Sequence, residues 1–221
     1  MFSMIVSTDA IVLRGRKQGD TSKLATLYTR DFGKIDVIAK GAREQKSKFG
    51  GALEMFAYSQ VVLYKNNRPD ALSLLSNAES VEPNHGILRS LTRIETATNI
   101  IELMLRAMHD EEANTELFEL LATTLKAIAQ WDDHAARAVQ FRFYLDFARQ
   151  MGFEVDLDSA PKLSSRALSL LRSIESNMAE ASGIAEADYK QLTLFFQNYF
   201  SFHLPGVNSR SMKSAGVFEQ L

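Results

Sequence analysis

The side chains with the clearest capacity for chemistry in this 221-residue sequence are basic, and they lie in its first quarter. Residues 14–48 hold ten Lys and Arg against four Asp and Glu, although the whole chain has a net charge of −2. Four of these cations fall within nine positions that separate two apolar stretches: Lys40, Arg43, Lys46 and Lys48. Lysine supplies point charges and arginine bidentate contacts to phosphate, so this basic loop (residues 40–48) suits a polyanion.

Five more cations precede the basic loop and complete the predicted binding set: Arg14, Arg16, Lys17, Lys23 and Lys34. Proteins that bind single-stranded nucleic acid combine such charge with aromatic rings on which bases stack. Four aromatic residues are available nearby: Tyr28, Phe32, Phe49 and Tyr64. No base-reading motif is present, so binding without sequence preference is expected. The alternative is a solvated charged face with no partner.

Enzymatic chemistry has no comparable support in the sequence. There is no phosphate-binding P-loop, no Gly-x-Gly-x-x-Gly and no Gly-x-Ser-x-Gly. The histidines lie far from one another, at His85, His109, His134 and His203. The acidic pairs 111–112 and 132–133 are expected at helix starts, where the helix dipole favours them. We therefore expect no catalytic residue, no metal site and no cofactor.

Composition bounds the location and redox environment of the chain. Cysteine is absent, which removes disulfides and thiolate metal sites and fits a reducing cytosol. No apolar run approaches the roughly 18 residues of a membrane span, and the first residues show a strand pattern rather than a signal peptide. A cytoplasmic protein is expected.

The first 80 residues alternate apolar and polar side chains with the period of a β-strand. The pattern predicts five short strands at residues 8–16, 22–30, 34–41, 58–66 and 71–80. Turns are expected at Gly33 and at residues 66–69. Five antiparallel strands over so short a stretch favour a small closed or partly open barrel, because closure removes exposed edges.

After about residue 81 the apolar residues recur every three or four positions, as in amphipathic helices. Helices are predicted over about 84–109, from 114, from 132 to 152, over 164–176 and over 186–203. The aromatic stripe 195–202 in the last helix is interpreted mainly as core. The prediction is an α+β chain with a barrel domain at residues 1–80 and an all-helical domain at residues 81–221.

Residues 19–56 resemble the N-terminal signature of the RecO family of bacterial recombination mediators and DNA repair proteins. The most specific part is Ala-Lys-Gly-Ala-Arg at residues 39–43. The resemblance continues through residues 114–128 and 141–153, and closes with the Ser-Arg element at 203–212.

This resemblance implies an N-terminal OB-fold barrel followed by helices, and an activity without turnover. A RecO-like protein binds single- and double-stranded DNA and anneals complementary strands. With RecR it helps RecA to load on strands covered by single-stranded DNA-binding protein (SSB), in the RecF pathway and at the nucleoid. By matched position, Lys40 and Arg43 would contact the DNA backbone, supported by Lys34, Lys46 and Lys48.

Two features of the helical half bear on the resemblance. Many RecO-like proteins carry a cysteine-based zinc site after the segment that matches 141–153, and this chain has none, so packing of Val155 and Leu157 is expected to hold the loop. The family also docks the acidic, apolar-ended SSB tail on its helices. Arg137 and Arg142 are candidates for that role, with a solvated helix face as the equal alternative. A different function also stays open: a protein–protein adaptor whose basic barrel face binds an acidic protein tail.

Overall fold

The computed structural model describes residues 3–66, 72–158, 163–176 and 183–204. Two sequence-based expectations lie outside these residues. They are the turn at 66–69 beyond its first residue, and the Ser-Arg element from residue 205 onward.

The described chain forms two compact units that are not simply consecutive in sequence. The first contains the described residues up to Asn84 together with Met108–Ala122, and the second contains His85–Ala107 and the described residues from Thr123 onward. The linear division at residues 80 and 81 stays a prediction. The structure adds that a segment from the helical half of the sequence belongs to the first unit.

Five strands close into a barrel in the first unit, as the alternation predicted. They are β1 (Ser3–Gln18), β2 (Ser22–Thr29), β3 (Gly33–Ala39), β4 (Tyr58–Asn66) and β5 (Ser73–Glu82), in the order β1-β2-β3-β5-β4. Strand β1 is long enough to pair with β2 through its second half and with β4 through its first half. The barrel is closed by a parallel contact between β3 and β5, so the expectation that the strands are antiparallel is wrong for this pair. This is the architecture of an OB fold.

Alternation along the strands fills the barrel interior. Ile35, Val37 and Ala39 point inward from β3, as the sequence predicted, and pack with buried residues of the other four strands. In β1 the register with β2 shifts between Val12 and Arg14, which is the signature of a β-bulge. A 3₁₀ turn at Gly50–Leu53 adds two buried side chains to the barrel core.

Met108–Ala122, called here the acidic segment, packs on the barrel near the β2–β3 turn. Its backbone forms an isolated β-bridge between Lys34 and Asp110, and the Glu111 N–H donates to the Lys34 carbonyl at 3.0 Å. The Phe118 ring lies 6.4 Å from the ring of Tyr28, and the ring of Tyr58 meets it edge-on at 5.6 Å. The acidic segment is therefore held by both backbone and aromatic contacts.

In the described part of the chain, five helices follow in the predicted order, although the first begins at Leu91 and not at about residue 84. They are α1 (Leu91–Ala107), α2 (Thr115–Gln130), α3 (Asp133–Gln150), α4 (Ser165–Ser176) and α5 (Glu186–His203), with a 3₁₀ turn at His85–Arg89 before α1. Asp132 caps α3 by accepting a hydrogen bond from the Ala135 N–H at 2.9 Å. None of the described helices is long and apolar enough to cross a membrane.

Aromatic packing between α3 and α5 forms the core of the second unit. The Phe141 and Phe196 rings stack at 5.9 Å, and the Tyr144 and Phe200 rings meet edge-on at 5.3 Å. Phe196 and Phe200 are fully buried, which confirms that this part of the aromatic stripe is core. Phe202 on the same helix is 84% exposed, so the stripe is not buried along its whole length.

We predict that Gly33→Ala destabilises the barrel by at least about 2 kcal/mol. Gly33 has a φ of 65°, and a Cβ there would lie 2.2 Å from the carbonyl oxygen of Glu112 in the acidic segment. Urea unfolding checks this, with Gly51→Ala as the control because a Cβ at Gly51 meets nothing within 4 Å. Equal stability of the two variants would contradict the prediction.

Candidate nucleic-acid interface

The β1–β2 hairpin places two arginines on the outer face of the barrel. Arg14 pairs with Thr26 and Arg16 pairs with Leu24, whereas the inward positions of this part of β2 are occupied by Ala25 and Leu27. Directly paired residues share a face of the sheet, so both arginines point away from the core. Both side chains are exposed.

The basic loop is attached to the same end of the barrel. The Arg43 backbone N–H donates to the Thr21 carbonyl at 2.9 Å, and the Arg43 guanidinium donates to the Gly19 and Asp20 carbonyls at 2.9 and 3.1 Å. These bonds fasten residues 40–48 to the β1–β2 turn. Arg43 therefore has a structural role in addition to any contact with a ligand.

Six cations of the predicted set are exposed and form no ion pair within the described parts of the chain: Arg14, Arg16, Lys17, Lys40, Lys46 and Lys48. The Lys48 ammonium lies 5.3 Å from the centre of the Phe49 ring. An exposed cation without an internal carboxylate keeps its charge available for an external anion. We call these six residues the cationic end of the barrel.

Lys23 belongs to the predicted set but is engaged within the protein. It faces inward, and its side chain crosses Gly15, where an added Cβ would lie 2.6 Å from the Lys23 Cε. Its ammonium donates to the Leu53 carbonyl at 2.9 Å and pairs with the Glu54 carboxylate at 3.2 Å. The side chain is 19% exposed. Lys23 thus covers one opening of the barrel core.

Lys34 lies at the other end of β3 from Lys40. Lys34 lies within β3 and Lys40 follows its last residue, so they are six residues apart, about 20 Å of extended chain. The Lys34 ammonium pairs with Asp110 of the acidic segment at 3.1 Å, and its side chain is 17% exposed. Lys34 is therefore separate from the cationic end.

The acidic segment also neutralises two cations that were not in the predicted set. Lys65 pairs with Glu111 at 2.7 Å, and Arg30 pairs with Glu119. The expectation that the 111–112 pair marks a helix start is wrong, because α2 begins only at Thr115, whereas the 132–133 pair does lie at the start of α3. A run of acidic residues was visible in the sequence, but no local pattern indicated that it returns to the barrel.

The aromatic residues proposed for stacking differ in their exposure. Tyr28 is fully buried, its hydroxyl lies 3.8 Å from the Met108 sulfur, and burial together with the Glu112 carboxylate raises its pKa to about 12. Phe49 is buried in the barrel core. Phe32 is partly buried and lies 5.6 Å from the Lys65 ammonium. Of these four rings, that of Tyr64 is exposed.

In the second unit, Arg137 and Arg142 are both engaged in contacts between helices. Arg137 pairs with Glu186 at 2.8 Å and lies 4.3 Å from the centre of the Tyr189 ring. The Arg142 guanidinium pairs with Asp146 at 2.7 Å and donates to the Ile174 and Glu175 carbonyls at the end of α4. Such a contact satisfies carbonyls that a helix end leaves unpaired. The role of these arginines in binding a tail stays a prediction.

The loop after α3 contains two buried apolar side chains, Val155 and Leu157, as expected for a loop held by packing. The described residues contain no group of three or more His, Asp or Glu side chains placed to hold a metal ion.

A closed five-stranded barrel with exposed cations at one end, followed by helices, defines an OB-fold protein with a candidate anion-binding surface. Comparison with known families identifies it further. The family described as Recombination protein O N terminal matches residues 3–84, and that described as Recombination protein O C terminal matches residues 88–162. The chain belongs to the Recombination protein O (RecO) family.

Curated relatives agree with this assignment. The DNA repair protein RecO of Chlorobaculum parvum is 32% identical over 203 residues, which are 92% of this chain and 72% of the relative. That of Chlorobium limicola is 36% identical over 70% of this chain and 59% of the relative. That of Salinibacter ruber is 39% identical over 55% of this chain and 46% of the relative. In the last two matches the chain spans less than two thirds of the relative's length.

A matched pair of lysine variants tests whether Lys40 is available to DNA while Lys34 is not. Lys40→Gln is expected to weaken oligonucleotide binding and to make the slope of log affinity against log salt about 0.7 less steep, because one phosphate contact is lost. Lys34→Gln is expected to leave binding within about twofold, because its charge is already paired with Asp110. Fluorescence anisotropy with a labelled single strand measures both. Equal losses in the two variants would contradict this distinction.

Proposed function

We propose that this chain is a DNA repair and recombination mediator that binds single- and double-stranded DNA without sequence specificity. The observation that carries the proposal is the cationic end of the barrel, where six exposed cations lack an ion pair within the described residues. Phosphate contacts give affinity but no sequence information. Family membership and the names of the relatives support the same function.

Strand annealing follows from the same electrostatics. Two complementary single strands repel each other through their phosphates, and a surface that neutralises phosphates lowers that repulsion. The protein would hold the strands without consuming a substrate, so the proposed activity is not enzymatic.

Partners are part of the proposal. We infer that the chain acts with RecR in the cytoplasm, at the nucleoid, and helps RecA to load on DNA covered by SSB. An acidic SSB tail would need cations around an apolar surface. Arg137 and Arg142 could contribute only by exchanging contacts they already make, since each donates to a backbone carbonyl of its own unit.

The adaptor function is kept as the second candidate because of the aromatic residues. Burial of Tyr28 and Phe49 leaves fewer rings for base stacking than the sequence offered. A positive face with few stacking rings would also suit a carboxylate-rich protein tail.

Salt dependence of binding tests the proposed function. With about five phosphates contacted, log affinity for a single strand should fall with log salt at a slope near −3.5. Arg14→Glu combined with Lys40→Glu should weaken binding by more than tenfold at low salt, whereas Lys126→Glu on α2 should have little effect. Equal affinity of the double variant and the native protein would overturn the proposed interface.

Competition separates the two candidate functions. A labelled oligonucleotide bound to the protein is titrated with a synthetic acidic tail peptide. If the barrel face binds DNA, the double variant loses the oligonucleotide and keeps the peptide on the helical unit. If the chain is an adaptor, the double variant loses the peptide, and the native protein shows no salt-dependent DNA binding.

A further inference from the structure

A single row of paired residues crosses all five strands on the outside of the barrel. Each neighbour in the row is a direct pairing partner of the next, so all of them share the outer face. In order, the row consists of Ile5, Tyr64, Leu74, Ile38, Leu24 and Arg16. We call it the outer row.

The outer row is mostly apolar, and much of it is accessible. Ile5 is 63% exposed and Tyr64 is 38% exposed, whereas Leu74 and Ile38 are half-buried. None of its six members is acidic. The side chain of Tyr64 makes no aromatic contact or hydrogen bond within the described residues. The exposed part of its ring is therefore available to an external ligand.

The length of the outer row suits a linear polymer bound in an extended conformation. Five steps between neighbouring strands, each of about 4.8 Å, give a path of about 24 Å. Because strands in a barrel are tilted against its axis, a row perpendicular to them advances along one side of the barrel. The row is therefore a stripe with an apolar beginning at Ile5 and a cationic end at Arg16.

Cationic side chains are gathered around the Arg16 end of the outer row. Arg14 lies on the same face of β1 as Arg16, and Lys40 follows the last residue of β3, two positions after Ile38. One carboxylate on this face, that of Asp36, accepts a hydrogen bond from the Thr26 hydroxyl at 2.6 Å. Three cations without an ion pair among the described residues thus surround the end of an apolar stripe.

We propose that the outer row is the path of single-stranded DNA on the barrel, with one base stacked on the Tyr64 ring. Arg14, Arg16 and Lys40 contact the phosphates that follow. This inference rests on the proposed function and adds to it a preference for single strands at this site. A duplex keeps its bases stacked on each other, so it can use the cations but not the ring.

Loss of a stacking contact with a base and loss of an ionic contact with a phosphate change the salt dependence of binding differently. Loss of a stacking ring costs about 1–3 kcal/mol per base, which corresponds to a fivefold to 150-fold weaker affinity. It leaves the salt slope unchanged, because no counterion is released by stacking. Loss of a phosphate contact lowers the steepness of the salt slope by about 0.7 for a single strand.

The test compares Tyr64→Ala and Tyr64→Phe in the full chain, with a labelled 15-nucleotide thymidine strand and a 15-base-pair duplex as probes. Tyr64→Ala should weaken single-strand binding at least fivefold, with an unchanged salt slope and unchanged duplex binding. Tyr64→Phe should bind as the native protein does, because phenylalanine keeps the ring. Phe202→Ala, which removes an exposed ring from α5, is the matched control. Urea unfolding verifies that each variant is folded.

Three results would overturn the stacking site while leaving DNA binding intact: native affinity in Tyr64→Ala, equal losses for strand and duplex, or a loss in Tyr64→Phe as large as in Tyr64→Ala. Failure of the proposed function gives a different result, since the native protein would then bind neither probe. If Tyr64→Ala is unfolded, photocrosslinking of a 5-iodouracil strand to the native protein replaces it. A crosslink at Tyr64 supports the path, and crosslinks confined to other residues overturn it.

Discussion

Closure of the barrel through β1 is the constraint on which the first unit depends. One strand pairs with β2 at one end and β4 at the other, so its register fixes how all five strands face the interior. Interior positions then hold the alanine and branched aliphatic residues of the core, and exterior positions become a continuous surface. The exposed cations and the outer row are both consequences of this single register.

The barrel separates its charges between two ends. Near the β2–β3 turn, Lys34 and Lys65 are neutralised by carboxylates of the acidic segment, which the chain supplies from a distant part of its own sequence. At the cationic end, no carboxylate of the described residues forms an ion pair with any of the six cations. A slightly acidic protein can therefore present a positive surface without a positive total charge, because its anions are placed where they pair with other cations.

The elements were predictable from the sequence because periodicity and capping are local. The five strands, the five helices, the φ of Gly33 and the Asp132 cap of α3 all follow from residues within a few positions of each other. The state of each candidate side chain was not predictable, because it depends on distant residues. Lys23 meets Glu54, Lys34 meets Asp110, and Tyr28 lies against Phe118 only after the chain has folded. Charge and residue type identified the surface, but not which of its members are free.

The bulge in β1 has a further consequence for the surface. Before it, Ala10 and Val12 face the interior, and after it the inward positions are those of Gly15 and Lys17. In an uninterrupted strand the alternation of Ala10 and Val12 would continue to positions 14 and 16, and both guanidinium groups would point into the core. The extra residue, Leu13, thus reverses the parity of the strand. The bulge at Leu13 therefore keeps two arginines solvated that regular pairing of the same residues would turn toward the core, so the register of this strand is constrained by electrostatics as well as by packing.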